Sequence, residues 1–189
     1  MPLETRLSDY GHNTDKSYGH QYLHLYEGLC EPLRDRARKV LEIGVLDGAS
    51  LIMWQQYFTN AHIFGIDVSP APPALAGIED ITHIRADAYN DTTVSEIQKL
   101  GPFDLILDDG PHSLESQLAA ATKYAPLVAR GGLLIIEDIP NPDWVPKIAN
   151  AIPEELQQFT YAIDRRWIPG KGDTINDEII FILDLRYID

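Results

Sequence analysis

The stretch that decides the fold is VLEIGVLDGASL, residues 40–51. It opens with a short apolar run that favours a buried strand, and the apolar spacing over 49–58 favours a helix. Gly44 closes the apolar run and Gly48 precedes the helix, so the backbone can turn tightly and approach a ligand closely at both points. The stretch therefore predicts a strand, a glycine turn and a helix, the repeating unit of α/β proteins.

The rest of the chain repeats this alternation of apolar runs and helical patterns. Further strands are predicted at 62–68, 81–87, 103–109 and 132–138, and further helices at 93–100 and 114–129. Strands that alternate with helices indicate an α/β fold with a doubly wound, mostly parallel sheet covered on both faces. A helix near 153–159 and apolar runs at 159–168 and 177–187 then predict an antiparallel C-terminal hairpin.

Length and composition predict one domain with a substantial core. The chain has 189 residues, of which 44% are hydrophobic. We expect residues 1–38 to form an N-terminal helical arm and residues 39–189 to form the single core domain. The N-terminus lacks the apolar region of a signal peptide, and no apolar run approaches the length of a membrane span, so we expect a cytoplasmic protein.

Charge and cysteine content exclude several classes of partner and site. The formal net charge is -14, whereas nucleic-acid-binding surfaces are normally basic, so we expect neither nucleic acid nor membrane as a partner. Cys30 is the single cysteine. The sequence therefore excludes an intrachain disulfide and a zinc site built from several thiolates.

Each of the five predicted parallel strands brings an acidic residue to its carboxyl end. They are Asp47 just after the first strand, Asp67 at the end of the second, Asp87 at the end of the third, Asp108 and Asp109 at the end of the fourth, and Glu137 and Asp138 at the end of the fifth. Because ligands bind beyond the carboxyl ends of the strands in an open parallel sheet, these carboxylates are predicted to lie at the functional edge.

Two of these carboxylates are candidates for nucleotide recognition. Asp67 can accept two hydrogen bonds from ribose hydroxyls, although it can equally cap the loop that follows it. Asp87, with Ala88, can lie beside an adenine edge or simply shape a turn. Leu46 stands where a dinucleotide fingerprint has its middle glycine, so the pattern does not favour a pyrophosphate ligand.

Several stretches in this order resemble the class I S-adenosylmethionine (SAM) methyltransferases. They are NTDKSYGHQYLHLYE, LEIGVLDGASLIMWQQYF, IFGIDVS, FDLILDDGPH and ARGGLLIIEDI, within residues 8–140. The closer resemblance is to the metal-dependent macrolide-sugar and rhamnosyl O-methyltransferases, with cephalosporin-hydroxylase-like proteins as relatives. The resemblance implies a Rossmann-like sheet of strand order 3-2-1-4-5-7-6, SAM as cofactor, and Mg²⁺, or Mn²⁺ or Ca²⁺, as metal.

A metal site is predicted from Asp109, Glu137 and Asp138. Three converging carboxylates repel one another unless a cation lies between them, and oxygen-only ligands suit a hard divalent cation. The resemblance matches the same three residues to the family's metal ligands. The alternative interpretation is that they are separate, solvated loop carboxylates.

The resemblance also assigns catalytic roles to His112 and Asp109. An imidazole can take a proton from a hydroxyl near neutral pH, and a metal lowers the pKa of a bound hydroxyl. His112 can instead be a helix-start residue bonded to the backbone. Adjacent side chains alternate along a strand, so Asp108 is expected to point away from Asp109 and either to cap the turn or to reach the cofactor.

The predicted cofactor-binding residues come from the arm and from four strand ends. They are Thr14, Lys16, Tyr22, Glu42, Gly44, Gly48, Ser50, Asp67, Val68, Asp87, Ala88 and Asp108. By resemblance the arm closes over the cofactor and active site, although it can also be a plain packing helix. The hairpin from Arg165 to Lys171 can contact substrate or form a solvated turn.

The leading hypothesis is a Mg²⁺-assisted, SAM-dependent O-methyltransferase that acts on a hydroxyl of a sugar moiety or small metabolite. A glycosylated natural product is one such acceptor, and a homo-oligomer is compatible with the sequence. A catechol-type O-methyltransferase and a non-catalytic SAM- or nucleotide-binding module are the alternatives. A metal-dependent hydroxylase is disfavoured because no set of two histidines and one carboxylate is evident.

Overall fold

A seven-stranded mixed sheet forms the centre of the protein, whose computed structural model describes residues 7–10, 14–18, 21–167 and 178–188. The strands are β1 Lys39–Ile43, β2 His62–Asp67, β3 Ile81–Arg85, β4 Phe103–Asp108, β5 Val128–Ile139, β6 Thr160–Asp164 and β7 Ile179–Asp184. Their order is β3-β2-β1-β4-β5-β7-β6. The first five pair in parallel, and β7 is antiparallel to both β5 and β6. The predicted α/β fold, strand order and C-terminal antiparallel hairpin are confirmed.

Helices connect the strands and cover the sheet. The α-helices are α1 Asp15–Tyr18, α2 Leu23–Cys30, α3 Ala49–Tyr57, α4 Asp91–Leu100, α5 Leu114–Tyr124 and α6 Val145–Ala151. α5 ends five residues before the predicted helix 114–129 does, because Pro126 has no backbone N–H for the next helical hydrogen bond, and a 3₁₀ turn leads into β5. Among the described residues, no helix is long and apolar enough to cross a membrane.

Apolar side chains are buried on both faces of the sheet. Leu105 and Leu107 of β4 belong to one buried cluster, and Ile106, between them, belongs to a second cluster on the opposite face. Tyr22 and Tyr26, at the start of α2, lie in the first cluster. This packing holds the start of α2 against one face of the sheet.

The strand order creates a crevice beside β1. β1 lies between β2 and β4, so the chain reverses its direction across the sheet at this point, where open α/β sheets bind their ligands. Gly44 follows β1 with a φ of +87°, and a Cβ at this position would overlap the carbonyl oxygen of Asp109. Glycine is therefore required where the ends of β1 and β4 approach each other.

Candidate active site

A cavity of about 860 Å³ opens at the carboxyl edge of the parallel strands. This volume lies within the range of small-molecule sites. Residues predicted to bind the cofactor that line it are Thr14, Gly44, Ser50, Asp67, Val68, Asp87 and Ala88. The other predicted cofactor residues, Lys16, Tyr22, Glu42, Gly48 and Asp108, are not among the described residues that line it.

Asp67 joins the end of β2 to the glycine turn after β1. Its Oδ2 accepts a hydrogen bond from the backbone N–H of Val45 at 2.9 Å, and its Oδ1 accepts one from that of Ser69 at 2.7 Å. Partial burial opposes ionisation, but the backbone donors outweigh it and hold the pKa of Asp67 below its ordinary value. A charged carboxylate with unused lone pairs therefore faces the cavity.

Local hydrogen bonds also shape the cavity beyond β3. The Asp87 carboxylate accepts from the backbone N–H of Tyr89 at 2.9 Å, and the Tyr89 hydroxyl donates to Asp108 Oδ1 at 2.5 Å. Lys123 donates to the Tyr89 carbonyl at 2.5 Å. Asp108 is buried, and this burial raises its pKa to about 7. Asp108 is thus connected to the cavity by its hydrogen bond with Tyr89, which lines the cavity.

His112 lies beside two of the predicted metal ligands. Its Nε2 is 3.1 Å from Asp109 Oδ1 and 3.8 Å from Asp138 Oδ2. One ligand atom from each of these three residues lies within 4.8 Å of those of the others. Burial alone would lower the pKa of His112, but Asp109 and Asp138 outweigh it and raise that pKa. The three groups can share a proton or a cation.

A bulge in β5 aims Glu137 and Asp138 at different partners. Asp138 has a φ of +54°, and the pairing with β7 shifts register between Ile136 and Ile139. The Tyr22 hydroxyl donates to Asp138 Oδ1 at 2.5 Å. Glu137 Oε1 accepts from the hydroxyl of Tyr26. The structure therefore places Asp138 next to His112 and Tyr22, and Glu137 next to Tyr26.

Lys16 lies among the carboxylates. Its Nζ donates to Asp109 Oδ2 and, at 2.8 Å, to Glu137 Oε2, and it is 3.6 Å from Glu42 Oε1. The side chain is only 1% exposed. Burial opposes the charged form, but the carboxylates outweigh it and hold the pKa of Lys16 well above its ordinary value. Lys16, predicted to bind the cofactor, is thus a buried cation within the carboxylate cluster.

Glu42 is the innermost carboxylate of this cluster. It is fully buried, which raises its pKa to about 7, and its Oε2 accepts from the Trp54 indole N–H at 2.8 Å. Its Oε1 is buried and accepts no hydrogen bond from the described residues. Glu42 therefore adds a further oxygen that favours a cation in the cluster.

Three aromatic side chains that support the acidic groups were not predicted from the sequence. Tyr26 supports Glu137, Trp54 supports Glu42 and Tyr89 supports Asp108. Tyr26 stands four residues after Tyr22 within one of the family-like stretches, and this helical spacing places both hydroxyls on one side of the chain. Trp54 and Tyr89 carry no comparable sequence signal. In the predicted Arg165–Lys171 hairpin, residues 168–171 lie outside the described residues.

A family model described as a methyltransferase domain matches residues 41–139. The 8-demethyl-8-alpha-L-rhamnosyl tetracenomycin-C 2'-O-methyltransferase of Streptomyces olivaceus is 31% identical over 141 residues, 70% of this chain and 37% of that protein. The L-olivosyl-oleandolide 3-O-methyltransferase of Streptomyces antibioticus is 30% identical over 135 residues, 67% of this chain and 35% of that protein. The chain thus spans little more than a third of the length of these relatives.

Solved structures of the MycE methyltransferase from the mycinamycin biosynthetic pathway are also similar. The complex with Mg, SAH and mycinamycin VI gives a TM-score of 0.65 at 29% identity, covering 71% of this chain and 39% of that chain. A crystal form with Mg and SAH gives a TM-score of 0.74 at 22% identity, covering 96% of this chain and 54% of that chain. The second likeness shows the fold alone.

Proposed function

The chain belongs to the methyltransferase domain family, and from that premise we propose that it is a SAM-dependent, Mg²⁺-assisted O-methyltransferase. Its proposed acceptor is a hydroxyl of a sugar moiety or another small metabolite. The observation that carries the proposal is a single cavity with Asp67 at one wall and His112 and Asp109 at another. The relatives' names, which specify O-methylation of a rhamnosyl tetracenomycin and of an olivosyl-oleandolide, support the acceptor class.

The cavity walls fit the parts of the proposed cofactor. Gly44 provides close backbone approach, the charged Asp67 can accept hydrogen bonds from ribose hydroxyls, and Asp87 with Ala88 lines the same cavity and is proposed to contact the adenine. When bound, SAM supplies an electrophilic methyl group on a sulfonium. The contribution of these residues is to hold that group and the acceptor in a reactive orientation.

The carboxylate cluster fits a hard divalent cation. Asp109, Glu137 and Asp138 are the proposed ligands. Asp109 and Asp138 each offer an oxygen within 4.8 Å of the other, whereas Glu137 is bound to Lys16. When bound, Mg²⁺ lowers the pKa of an acceptor hydroxyl. Oxygen ligands without thiolates suit Mg²⁺, Mn²⁺ or Ca²⁺.

His112 is the proposed general base. Its side chain is 32% exposed at the cavity, and one ring nitrogen faces Asp109. Asp109 can hold the imidazole in one orientation, which leaves the second nitrogen to take the proton of an acceptor hydroxyl. The described part of the arm, residues 1–38, contributes to both the cofactor cavity and the carboxylate cluster. Thr14 lines the cavity, and the Tyr22 hydroxyl donates a hydrogen bond to Asp138.

The test is calorimetric titration with S-adenosylhomocysteine, with and without Mg²⁺. We expect binding in both conditions and a loss of about tenfold in affinity for Asp67→Asn, because a neutral amide accepts ribose hydrogen bonds less well. Asp143→Asn, at an exposed position, is the matched control and should bind normally. If the wild-type protein does not bind S-adenosylhomocysteine with or without Mg²⁺, the proposed cofactor is contradicted.

A positive cofactor titration leads to an acceptor test. Rhamnosylated and other glycosylated polyketides are incubated with SAM, and methyl transfer is followed by mass spectrometry with and without a metal chelator. We expect transfer that the chelator abolishes. Transfer that continues undiminished in the chelator would contradict the metal-assisted part of the proposal alone.

A further inference from the structure

The position of Lys16 conflicts with simultaneous binding of a metal by all three proposed ligands. Lys16 Nζ contacts Asp109 Oδ2 and lies 2.8 Å from Glu137 Oε2. The ammonium therefore occupies the space in which a cation bridging these two carboxylates would lie. Two cations would repel each other strongly there, because the site is buried and poorly screened.

The contacts of each carboxylate oxygen show where this conflict lies. Both oxygens of Glu137 are engaged, Oε1 by the Tyr26 hydroxyl and Oε2 by Lys16. The oxygens that face His112 are Asp109 Oδ1 and Asp138 Oδ2. A divalent cation at this pair gains Glu137 as a further ligand only when Lys16 leaves.

We propose that the Lys16 ammonium and a divalent cation are alternative occupants of the space between Asp109 and Glu137. Lys16 balances the buried carboxylates until the metal arrives, and the metal displaces it. The inference rests on the metal site of the proposed function. It makes Lys16 a determinant of metal affinity, acting through the ligands that it holds.

The backbone around Lys16 reaches the cofactor cavity. The Lys16 carbonyl accepts from the backbone N–H of Tyr22 at 2.7 Å, and the Thr14 carbonyl accepts from that of Ser17 at 2.9 Å. Thr14 lines the cofactor cavity, two residues from the buried ammonium. The backbone that carries Lys16 is therefore continuous with the cavity wall that Thr14 provides.

Metal titration of matched variants tests the competition. Mg²⁺ affinity is measured by calorimetry for wild type, Lys16→Met, Lys16→Arg and Lys99→Met. We expect Lys16→Met to bind about tenfold more tightly or better, because a like charge has been removed from the site. Lys16→Arg keeps that charge and should stay within about threefold of wild type. Lys99 is exposed and paired with Glu96, so Lys99→Met controls for net charge and should also match wild type.

The possible results separate the two proposals. Equal or weaker Mg²⁺ binding by Lys16→Met, with wild-type binding intact, overturns the competition and leaves the proposed function standing. Tighter binding by Lys16→Arg, in which the charge remains, overturns it as well. No Mg²⁺ binding by any of the proteins overturns both the competition and the metal site.

Trypsin gives a second measurement that needs neither catalysis nor a Lys16 substitution. The protease must take the Lys16 side chain into its own pocket to cleave the Lys16–Ser17 bond, and this side chain is 1% exposed. We expect saturating Mg²⁺ to accelerate that cleavage by about tenfold, measured by mass spectrometry of the fragment that begins at Ser17. Asp109→Asn, with a weakened site, should show no acceleration. If the wild-type protein is cleaved at the same rate with and without Mg²⁺, the proposal is overturned.

Discussion

The cofactor wall and the carboxylate cluster lie at the same edge of the sheet but are built from different kinds of contact. At the wall, Asp67 and Asp87 each bond a backbone N–H two residues further along the chain. In the cluster, the bonds from Lys16 to Asp109 and Glu137 span 93 and 121 residues. Asp67 also accepts from Val45, 22 residues earlier in the chain. The wall thus combines local turns with a contact between neighbouring strand ends, whereas the bonds of Lys16 join residues that are far apart in the sequence.

This contrast predicts how the two regions respond to substitution. Loss of one side chain at the wall removes one ligand contact and leaves its neighbours in place. Loss of one charge in the cluster leaves other buried charges without compensation, which is costly in a site shielded from water. The predictions that follow test this difference.

The largest effect is expected for Asp109→Asn. Asp109 contacts both Lys16 and His112, so we expect methyl transfer to fall by about 10⁴-fold through the combined loss of a proposed metal ligand and of imidazole orientation. Affinity for S-adenosylhomocysteine should stay within about threefold. Steady-state kinetics and calorimetry measure the two quantities, and a parallel loss of both would show that the wall and the cluster are not separable.

His112→Asn should lower kcat by about 10³-fold, as expected for removal of a general base. The KM for SAM should change little, because Asp67 ends β2, which lies on the other side of β1 from β4. Ser113→Ala is the neighbouring control, since it removes a helix cap and leaves the imidazole in place. A variant that retains half of the wild-type kcat would remove His112 from the reaction.

Gly44→Ala tests the point at which the two regions meet. The positive φ and the overlap of a new Cβ with the Asp109 carbonyl predict a loss of about 4 kcal/mol in the free energy of unfolding. Gly28→Ala is the control, because an added Cβ meets nothing within 4 Å there. Chemical denaturation measures the free energy of unfolding of both variants. Equal values for Gly44→Ala and Gly28→Ala would mean that the ends of β1 and β4 can move apart at little cost.

The pH dependence of stability reports on Asp108, beneath the cavity wall. Its folded pKa of about 7 lies above its ordinary value of 3.8, so the folded protein holds a proton between these pH values that the unfolded chain releases. The Asp108 contribution to the free energy of unfolding therefore falls as pH rises from about 4 to 7 and is constant above that range. The fall is on the order of 4 kcal/mol.

Asp108→Asn removes this contribution and keeps an oxygen for the Tyr89 hydroxyl. We expect its unfolding free energy to decline less than that of wild type between pH 4 and pH 7, as measured by denaturation at several pH values. Asp143→Asn, in which an exposed carboxyl is lost, should parallel wild type. Parallel curves for wild type and Asp108→Asn would contradict the raised pKa.

Much of the fold follows from local sequence signals. The apolar runs, the glycine at 44 and the helical spacing of 49–58 determined the β–turn–α unit, and the strand order came with the family resemblance. Asp67, Asp87 and Asp109 were expected near the strand ends and line one cavity, whereas Glu137 and Asp138 lie within β5 and are not among the described residues that line it. The extent of α5 was wrong because the effect of Pro126 was overlooked.

The sequence by itself determined which residues reach the carboxyl edge of the sheet, because strand periodicity and turn chemistry act over a few residues. Only the tertiary structure decided how they pair. It placed the Lys16 ammonium between Asp109 and Glu137, and it turned Asp138 toward His112 through a left-handed residue in a bulge. The physical reason is that buried charges are satisfied by whatever partner the packed chain brings near them, and that proximity depends on contacts across more than ninety residues.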